Sequence, residues 1–323
     1  VEKADLRELH RLMLVARRVD EEAIALQRQG VLPGYAPMRG QEAAQVGSAA
    51  ALDLTRDFAF PNYRDLGAAT AMGVDLVGYL STHLGTWHGG MYDPKASRLA
   101  PVNAVVGGAV PHAVGWAMGA KLDDTGGVAI TYFGDGASSQ GDVHEAMNFA
   151  AVYRLPVVFF CQNNGWAISV PTERQVAGGS VAARAAGYGI EGVRVDGNDV
   201  LAVFETTREA VLRGRDGGGP TVLEAMTYRM GPHSTSDDPG RYRTLEEERA
   251  WAERDPVARA ARQLSADDVA EAEAHAADVV RQVREGLVTV GDRPTEELFS
   301  FVYREPTKAL LDQQHAWKEA ADV

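Results

Sequence analysis

Residues 128–164 read VAITYFGDGASSQGDVHEAMNFAAVYRLPVVFFCQNN. A largely apolar run, Val128–Phe133, closes on Gly134-Asp135-Gly136. An amphipathic stretch follows from Asp142 to Tyr153, and then a second apolar run, Pro156–Cys161. Short apolar runs bounded by glycine, with one helix-length stretch between them, spell strand–helix–strand. The pattern continues downstream. VAARAAGYG (181–189) reads as helical, VRVDGND (193–199) as a strand and turn, Val200–Leu212 as a helix and TVLEAM (221–226) as a strand. Repeated β-α-β order predicts an α/β fold, a doubly wound and mostly parallel sheet with right-handed crossovers.

Upstream, Leu6, Leu9, Met13, Ala16 and Ala23 fall near helical spacing, which predicts a helix over residues 4–29 that Gly30 and Pro33 end. A second helix is expected near Gly40. Residues 84–111 are glycine-rich and without apolar period, the signature of a long functional or interface loop. VPHAVGWAMGAKL (110–122) reads as a helix with Gly115 and Gly119 one turn apart, a face that another backbone can approach closely. Beyond Arg241 the chain is charged and helical. The expected organisation is an α/β domain with N-terminal helices over 1–260. A C-terminal helical extension over 261–323 is expected to pack on that domain or on a partner.

The chain has 323 residues and a formal net charge of −13, with no concentrated basic run, so nucleic-acid binding is not expected. No apolar run approaches the roughly 20 residues that span a bilayer, and the charged N-terminus does not resemble a secretory signal. The one cysteine, Cys161, excludes an internal disulfide and suits a reducing compartment. These features read as a soluble, cytoplasmic protein. Acidity also means that an anionic ligand must be drawn by local devices: a metal, a few arginines, helix N-termini.

In open parallel sheets ligands bind beyond the carboxyl ends of the strands. Gly134-Asp135-Gly136 and Asn163-Asn164-Gly165 leave two strands there, and one helix joins those strands. A carboxylate on one and a carboxamide on the next offer hard oxygens to a small cation. Mg²⁺ takes one or two carboxylates and completes its shell with water and phosphate oxygens. No Gly-Lys-Ser/Thr follows the glycines, so this is not a nucleotide P-loop. Ser139 stands where a dinucleotide motif has its third glycine, which argues against a nicotinamide-binding dehydrogenase.

GDG followed by NN one strand–helix–strand unit later resembles the thiamine-diphosphate motif of transketolase-like enzymes. The longer YFGDGASSQGDVHEAMNFAAVYRLPVVFFCQNNGWAISVPT resembles alpha subunits of branched-chain 2-oxo acid dehydrogenases, as do VRVDGNDV and EAMTYRMGPHSTSDD. The resemblance runs from about residue 10 to the C-terminus. It implies thiamine diphosphate with Mg²⁺ held by the Asp135 and Asn164 side chains and the Trp166 carbonyl. Gly134, Gly136 and Ala137 would line the diphosphate. Tyr63 and Arg64, in FPNYRDLG, match the pair that clamps it. His233 matches the histidine at the cofactor's reactive end. Gln162 stands where relatives often have arginine beside the phosphate, and Trp166 where they have tyrosine. Ala104 and Val106 occupy a loop that reads Ser-Pro-Leu in branched-chain relatives, with Val106 placed to support the bent cofactor. That loop and His88-Gly89-Gly90-Met91 look more like pyruvate dehydrogenase alpha subunits, so a pyruvate or acetoin enzyme is the alternative. Ser234 and Thr244 match positions phosphorylated in some relatives.

Two half-sites are needed for this chemistry, and the chain has room for one. The resemblance therefore implies a beta subunit that supplies a glutamate, in a heterotetramer of two alpha and two beta chains. It also implies a 2-oxo acid substrate and transfer of the acyl group to a lipoyl domain of a transacylase component.

Overall fold

A computed structural model describes residues 5–85, 90–291 and 297–321. His88 and Gly89 of the HGGM segment lie outside them. Helix α1 (Leu6–Arg28) is capped by Asp5, whose side chain accepts from the Arg7 N–H, and it buries Met13, Ala16, Val19, Ala23 and Leu26. Helix α2 (Glu42–Ala50) is built of small residues and buried almost throughout. Before the glycine-rich loop come β1 (Phe58–Phe60), α3 (Leu66–Ala71) and α4 (Leu76–Leu80), and within it α5 (Pro94–Ser97). These elements are too short to show an apolar period, which is why sequence reading passes over them.

From α6 (Ala109–Leu122) the chain follows its sequence pattern: β2 (Ala129–Gly134), α7 (Gly141–Val152) and β3 (Val157–Asn163). A two-residue hairpin, β4 (Trp166–Ala167) and β5 (Val170–Pro171), then precedes α8 (Val181–Arg184), β6 (Glu191–Asp196), α9 (Val200–Arg215) and β7 (Thr221–Met226). The remainder is helical: α10 (Leu245–Ala252), α11 (Pro256–Ala261), α12 (Ala266–Thr289), α13 (Glu297–Ser300) and α14 (Lys308–Ala321).

The main sheet runs β1-β2-β3-β7-β6 with every pair parallel. Alternate residues of β2 and β3 serve opposite faces. Ile130, Tyr132, Val158 and Phe160 join the core under α1, α2 and α9, while Ala129, Phe133, Val157, Phe159 and Cys161 join the core under α6 and α7. Burial on both faces explains why these strands read as continuous apolar runs. Each large side chain so buried contributes roughly 1.5–3 kcal/mol. Helix α12 lies along α1 and adds Ala272, Ala276, Val283 and Leu287 to the first core. Half-exposed ion pairs such as Arg18–Glu273 at 2.8 Å border this seam and add little beside it. Among the described residues no helix is long and apolar enough to cross a membrane.

The β2/β3 register sets Gly134 opposite Gln162, so both strands end level. Asp135 and Asn164 thus emerge side by side beyond the sheet.

Candidate active site

A cavity of about 230 Å³ opens at these strand ends. Of the residues singled out in the sequence, Tyr63, Arg64, Val106, Gly134, Asp135, Gly136, Ala137, Gln162, Asn164, Trp166 and His233 all line it. Ala104 does not: it is exposed, two residues upstream of Val106.

Asp135 is 1% exposed. Its Oδ2 accepts from the Thr172 hydroxyl at 2.7 Å, and its Oδ1 has no partner among the described residues. Burial raises the carboxyl above its ordinary range, so a nearby cation would relieve a real penalty. The two asparagines divide their work. Asn163 donates to Glu224 Oε1 on β7 at 2.8 Å and ties strands together. Asn164 faces the cavity, and its Nδ2 donates to Gln41 Oε1 at 3.1 Å. Gly165 turns the chain at φ +86°, a conformation open to glycine, and brings the Trp166 carbonyl to the same place. A Cβ on Gly136 would lie 2.8 Å from the Ala167 Cβ, so only glycine lets the β4 segment close over this turn. Helix α7 begins just beyond, and no side chain caps its N-terminus.

Basic side chains line the cavity beside these groups. Arg64 is held by the Pro37 carbonyl and by the His233 carbonyl at 2.8 Å. Arg229 donates to the carbonyls of Trp166 at 3.2 Å and Ile168 at 2.8 Å, and to the Tyr242 hydroxyl at 2.9 Å. Among the described residues the hydrogen bonds of these guanidinium groups go to carbonyls, a ring nitrogen and a hydroxyl, with the Asp237 carboxylate near Arg229. Burial, with Arg64 nearby, lowers the pKa of Arg229. His233 Nδ1 faces Arg64 Nη2 at 3.2 Å and Arg229 Nη1 at 3.5 Å. Arginine can only donate, so Nδ1 is the acceptor and the proton of the neutral ring sits on Nε2. Burial and the two arginines push this imidazole down to about 4. Its backbone N–H donates to Asp237 Oδ2 at 2.7 Å, which ties the loop to Tyr242.

Gln162 is buried between Asp65 and Gln45: it donates to Asp65 Oδ1 at 2.6 Å and accepts from Gln45 Nε2 at 2.8 Å. Burial pushes the Asp65 carboxyl up to about 7. Gln162 therefore supports the Tyr63–Arg64 loop, because the other oxygen of Asp65 accepts from the Asn62 N–H at 2.7 Å.

Sequence reading missed Gln41, Asn62, Ile168 and Arg229, which also line the cavity. Arg229 left a signal, four residues before His233 in TYRMGPH, and so did Asn62, beside Tyr63 in FPNYRDLG. Ile168 is a β-branched residue at φ +56°, a strained conformation fixed by its carbonyl's bond to Arg229.

The donor set suits a metal–diphosphate ligand. Among the described residues no cluster of three or more His, Cys, Asp or Glu exists. A metal here must therefore take oxygens from an amide, a backbone carbonyl and the ligand itself. A carboxylate oxygen without a hydrogen-bond partner and two arginines whose hydrogen bonds go to neutral acceptors meet that need.

The chain is 46% identical over 316 residues to the 3-methyl-2-oxobutanoate dehydrogenase subunit alpha of Mycobacterium tuberculosis, covering 96% of this chain and 85% of that one. It is 42% identical over 259 residues to the 2-oxoisovalerate dehydrogenase subunit alpha of Bacillus subtilis, covering 77% and 78%. The pyruvate dehydrogenase E1 component subunit alpha of Staphylococcus epidermidis is 38% identical over 319 residues, covering 97% and 86%. Residues 10–291 match the family model described as dehydrogenase E1 component, and the chain belongs to that family.

Proposed function

We propose that this chain is the alpha subunit of a thiamine-diphosphate-dependent enzyme that oxidatively decarboxylates branched-chain 2-oxo acids. The observation that carries the reading is the cavity itself, with an unpartnered buried Asp135 oxygen facing Arg64, Arg229 and His233. The M. tuberculosis and B. subtilis relatives, named for branched-chain substrates, support the substrate class.

Asp135, Asn164 and the Trp166 carbonyl would hold Mg²⁺, with Arg229 releasing the carbonyl it donates to here. Tyr63, Arg64, Gly134, Gly136 and Ala137 cradle the diphosphate, Gln162 stiffens the Arg64 loop, and Val106 supports the cofactor from the loop before α6. When bound, thiamine diphosphate would supply the carbon nucleophile and electron sink that decarboxylation of a 2-oxo acid needs. The chain's own residues orient and neutralise. Arg64 and Arg229 offset phosphate charge. His233, neutral with its proton on Nε2, donates a hydrogen bond from that nitrogen to an oxygen near the reacting end.

The half-site is completed by a beta subunit in a heterotetramer, and the acyl group passes to a lipoyl domain of a transacylase component. The outer side of α6 and α7 suits that partner: Leu122, Phe149, Val152 and Tyr153 are exposed there. A Cβ on Gly115 or Gly119 would touch nothing within 4 Å. The test is co-expression with a beta chain and decarboxylation assays on 3-methyl-2-oxobutanoate and pyruvate, with and without thiamine diphosphate and Mg²⁺. Turnover that needs both and favours the branched acid is expected. Preference for pyruvate overturns the substrate class, and turnover independent of cofactor overturns the site.

A further inference from the structure

Gln41 touches the cavity without belonging to any motif that marks it. It is 1% exposed and stands at the start of α2, where the chain has no freedom to move. A Cβ on the preceding Gly40 would meet the Tyr228 carbonyl oxygen at 2.2 Å. The Gly40 carbonyl accepts from the Thr227 hydroxyl at 2.7 Å, and the Arg39 carbonyl from the Met230 N–H at 3.0 Å. The start of α2 is thus fastened to the chain leaving β7.

The Gln41 carboxamide is oriented in turn. Its Nε2 donates to the Met38 carbonyl at 3.3 Å, so its Oε1 is the atom turned to Asn164, whose Nδ2 donates to it at 3.1 Å. An asparagine amide can present either end to a neighbour. Here the flipped amide would set two buried acceptor oxygens about 3 Å apart with no proton between them, which is unfavourable. Oδ1 of Asn164 is therefore left for the other side, where it accepts from the Trp166 N–H at 3.2 Å. Asp135 and Asn164 line the same cavity.

We infer that Gln41 is a positioning residue that fixes which end of the Asn164 amide faces the cavity, so that an oxygen and not an NH₂ group is offered to a divalent cation. The inference rests on the metal and cofactor assignment proposed above and adds to it a residue outside the GDG and NN motifs. Gln41 does not touch the metal. It acts through Asn164, so its signature is a change in metal demand rather than in diphosphate recognition.

The test compares native, Gln41→Met and Gln41→Glu forms of the co-expressed alpha–beta complex. Thiamine diphosphate uptake is followed by intrinsic tryptophan fluorescence across a Mg²⁺ titration, with thermal melting as a check on folding. Gln41→Met keeps the volume and removes the acceptor. Its half-saturating Mg²⁺ concentration should rise about tenfold, the usual scale for outer partners of metal ligands. Its affinity for thiamine diphosphate at saturating Mg²⁺ should stay within about twofold of native. Gln41→Glu keeps an acceptor facing Asn164, and its Mg²⁺ requirement should stay at or below the native value. A native Mg²⁺ requirement in Gln41→Met overturns the inference. So does a cofactor defect that saturating Mg²⁺ leaves uncorrected, which marks a merely structural role. If Gln41→Met fails to fold, a tenfold weaker Mg²⁺ response in Gln41→Glu overturns it instead. A native complex that takes up no thiamine diphosphate at any Mg²⁺ concentration is a different result: it refutes the proposed function and this assignment with it.

Discussion

The wall carrying Asp135 and Asn164 and the wall carrying Arg64, Arg229 and His233 face one cavity but are held in place by different means. The first hangs from the ends of two adjacent parallel strands, and the register of Gly134 with Gln162 fixes it through backbone hydrogen bonds. The second is assembled from separate loops by side chains that reach carbonyl oxygens: Arg64 to Pro37 and His233, Arg229 to Trp166 and Ile168. Each wall is also electrostatically incomplete alone. One has a buried carboxylate oxygen without a partner, the other guanidinium groups held by neutral acceptors. A ligand with a cation at one end of its contacts and phosphate oxygens at the other answers both walls together. The cofactor-free protein should accordingly carry a stability penalty at the residues that function needs most.

The sharpest way to break this contrast is Asp135→Asn. The substitution keeps the volume and removes a charge whose burial is unfavourable. Mg²⁺-dependent uptake of thiamine diphosphate should fall by more than about 100-fold, since a direct ligand matters more than an outer partner. The melting temperature of the cofactor-free complex should hold or rise. A large fall in melting temperature would show that the carboxylate is a structural group and not a strained functional one.

Arg64→Lys tests the loop wall. An ammonium cannot reproduce a fork that reaches the Pro37 and His233 carbonyls together. Cofactor affinity should fall about 10- to 100-fold, as expected for one or two charge-assisted bonds. Because His233 loses its anchor, the effect should appear in kcat as well as in cofactor binding. An effect on binding alone would separate the two residues.

The smallest effect is a shift in titration. His233 is pushed to about 4, below its ordinary value of 6.5, so the folded state favours the neutral ring. Its contribution to stability is complete above pH 6.5 and is lost as the pH falls through 4. Proton NMR of the cofactor-free complex should find this ring neutral down to about pH 4. Adding thiamine diphosphate with Mg²⁺ should raise its pKa, because phosphate charge offsets the two arginines. A ring that titrates at 6.5 without cofactor would mean that Arg64 and Arg229 are already neutralised by other groups.

How much of this was legible beforehand follows from the same contrast. The strands β2, β3 and β7, the helices α6, α7 and α9 and the GDG and NN turns show in the chain because apolar period and glycine placement are local properties. Asp135 and Asn164 could be paired because a single helix joins their strands. The roles of Asn163 and Asn164, by contrast, are told apart in the sequence by resemblance only, not by spacing or composition. One is taken up by Glu224 on β7 and the other faces the cavity, and which is which depends on where β7 inserts. Ala104 shows the same limit: it belongs to the loop that brings Val106 to the cavity, but is not among the residues that line it. Gln41 and Arg229 carry no periodic signal at all. Sequence by itself determined the alternating strand–helix order and the acidic wall, both set by nearest neighbours. Only the tertiary structure decided that Arg229 joins Arg64 and His233 at one cavity, the tautomer of His233 and the orientation of the Asn164 amide. These depend on hydrogen bonds between segments as far apart in the chain as Arg64 and His233, and such pairings exist only once the chain is folded.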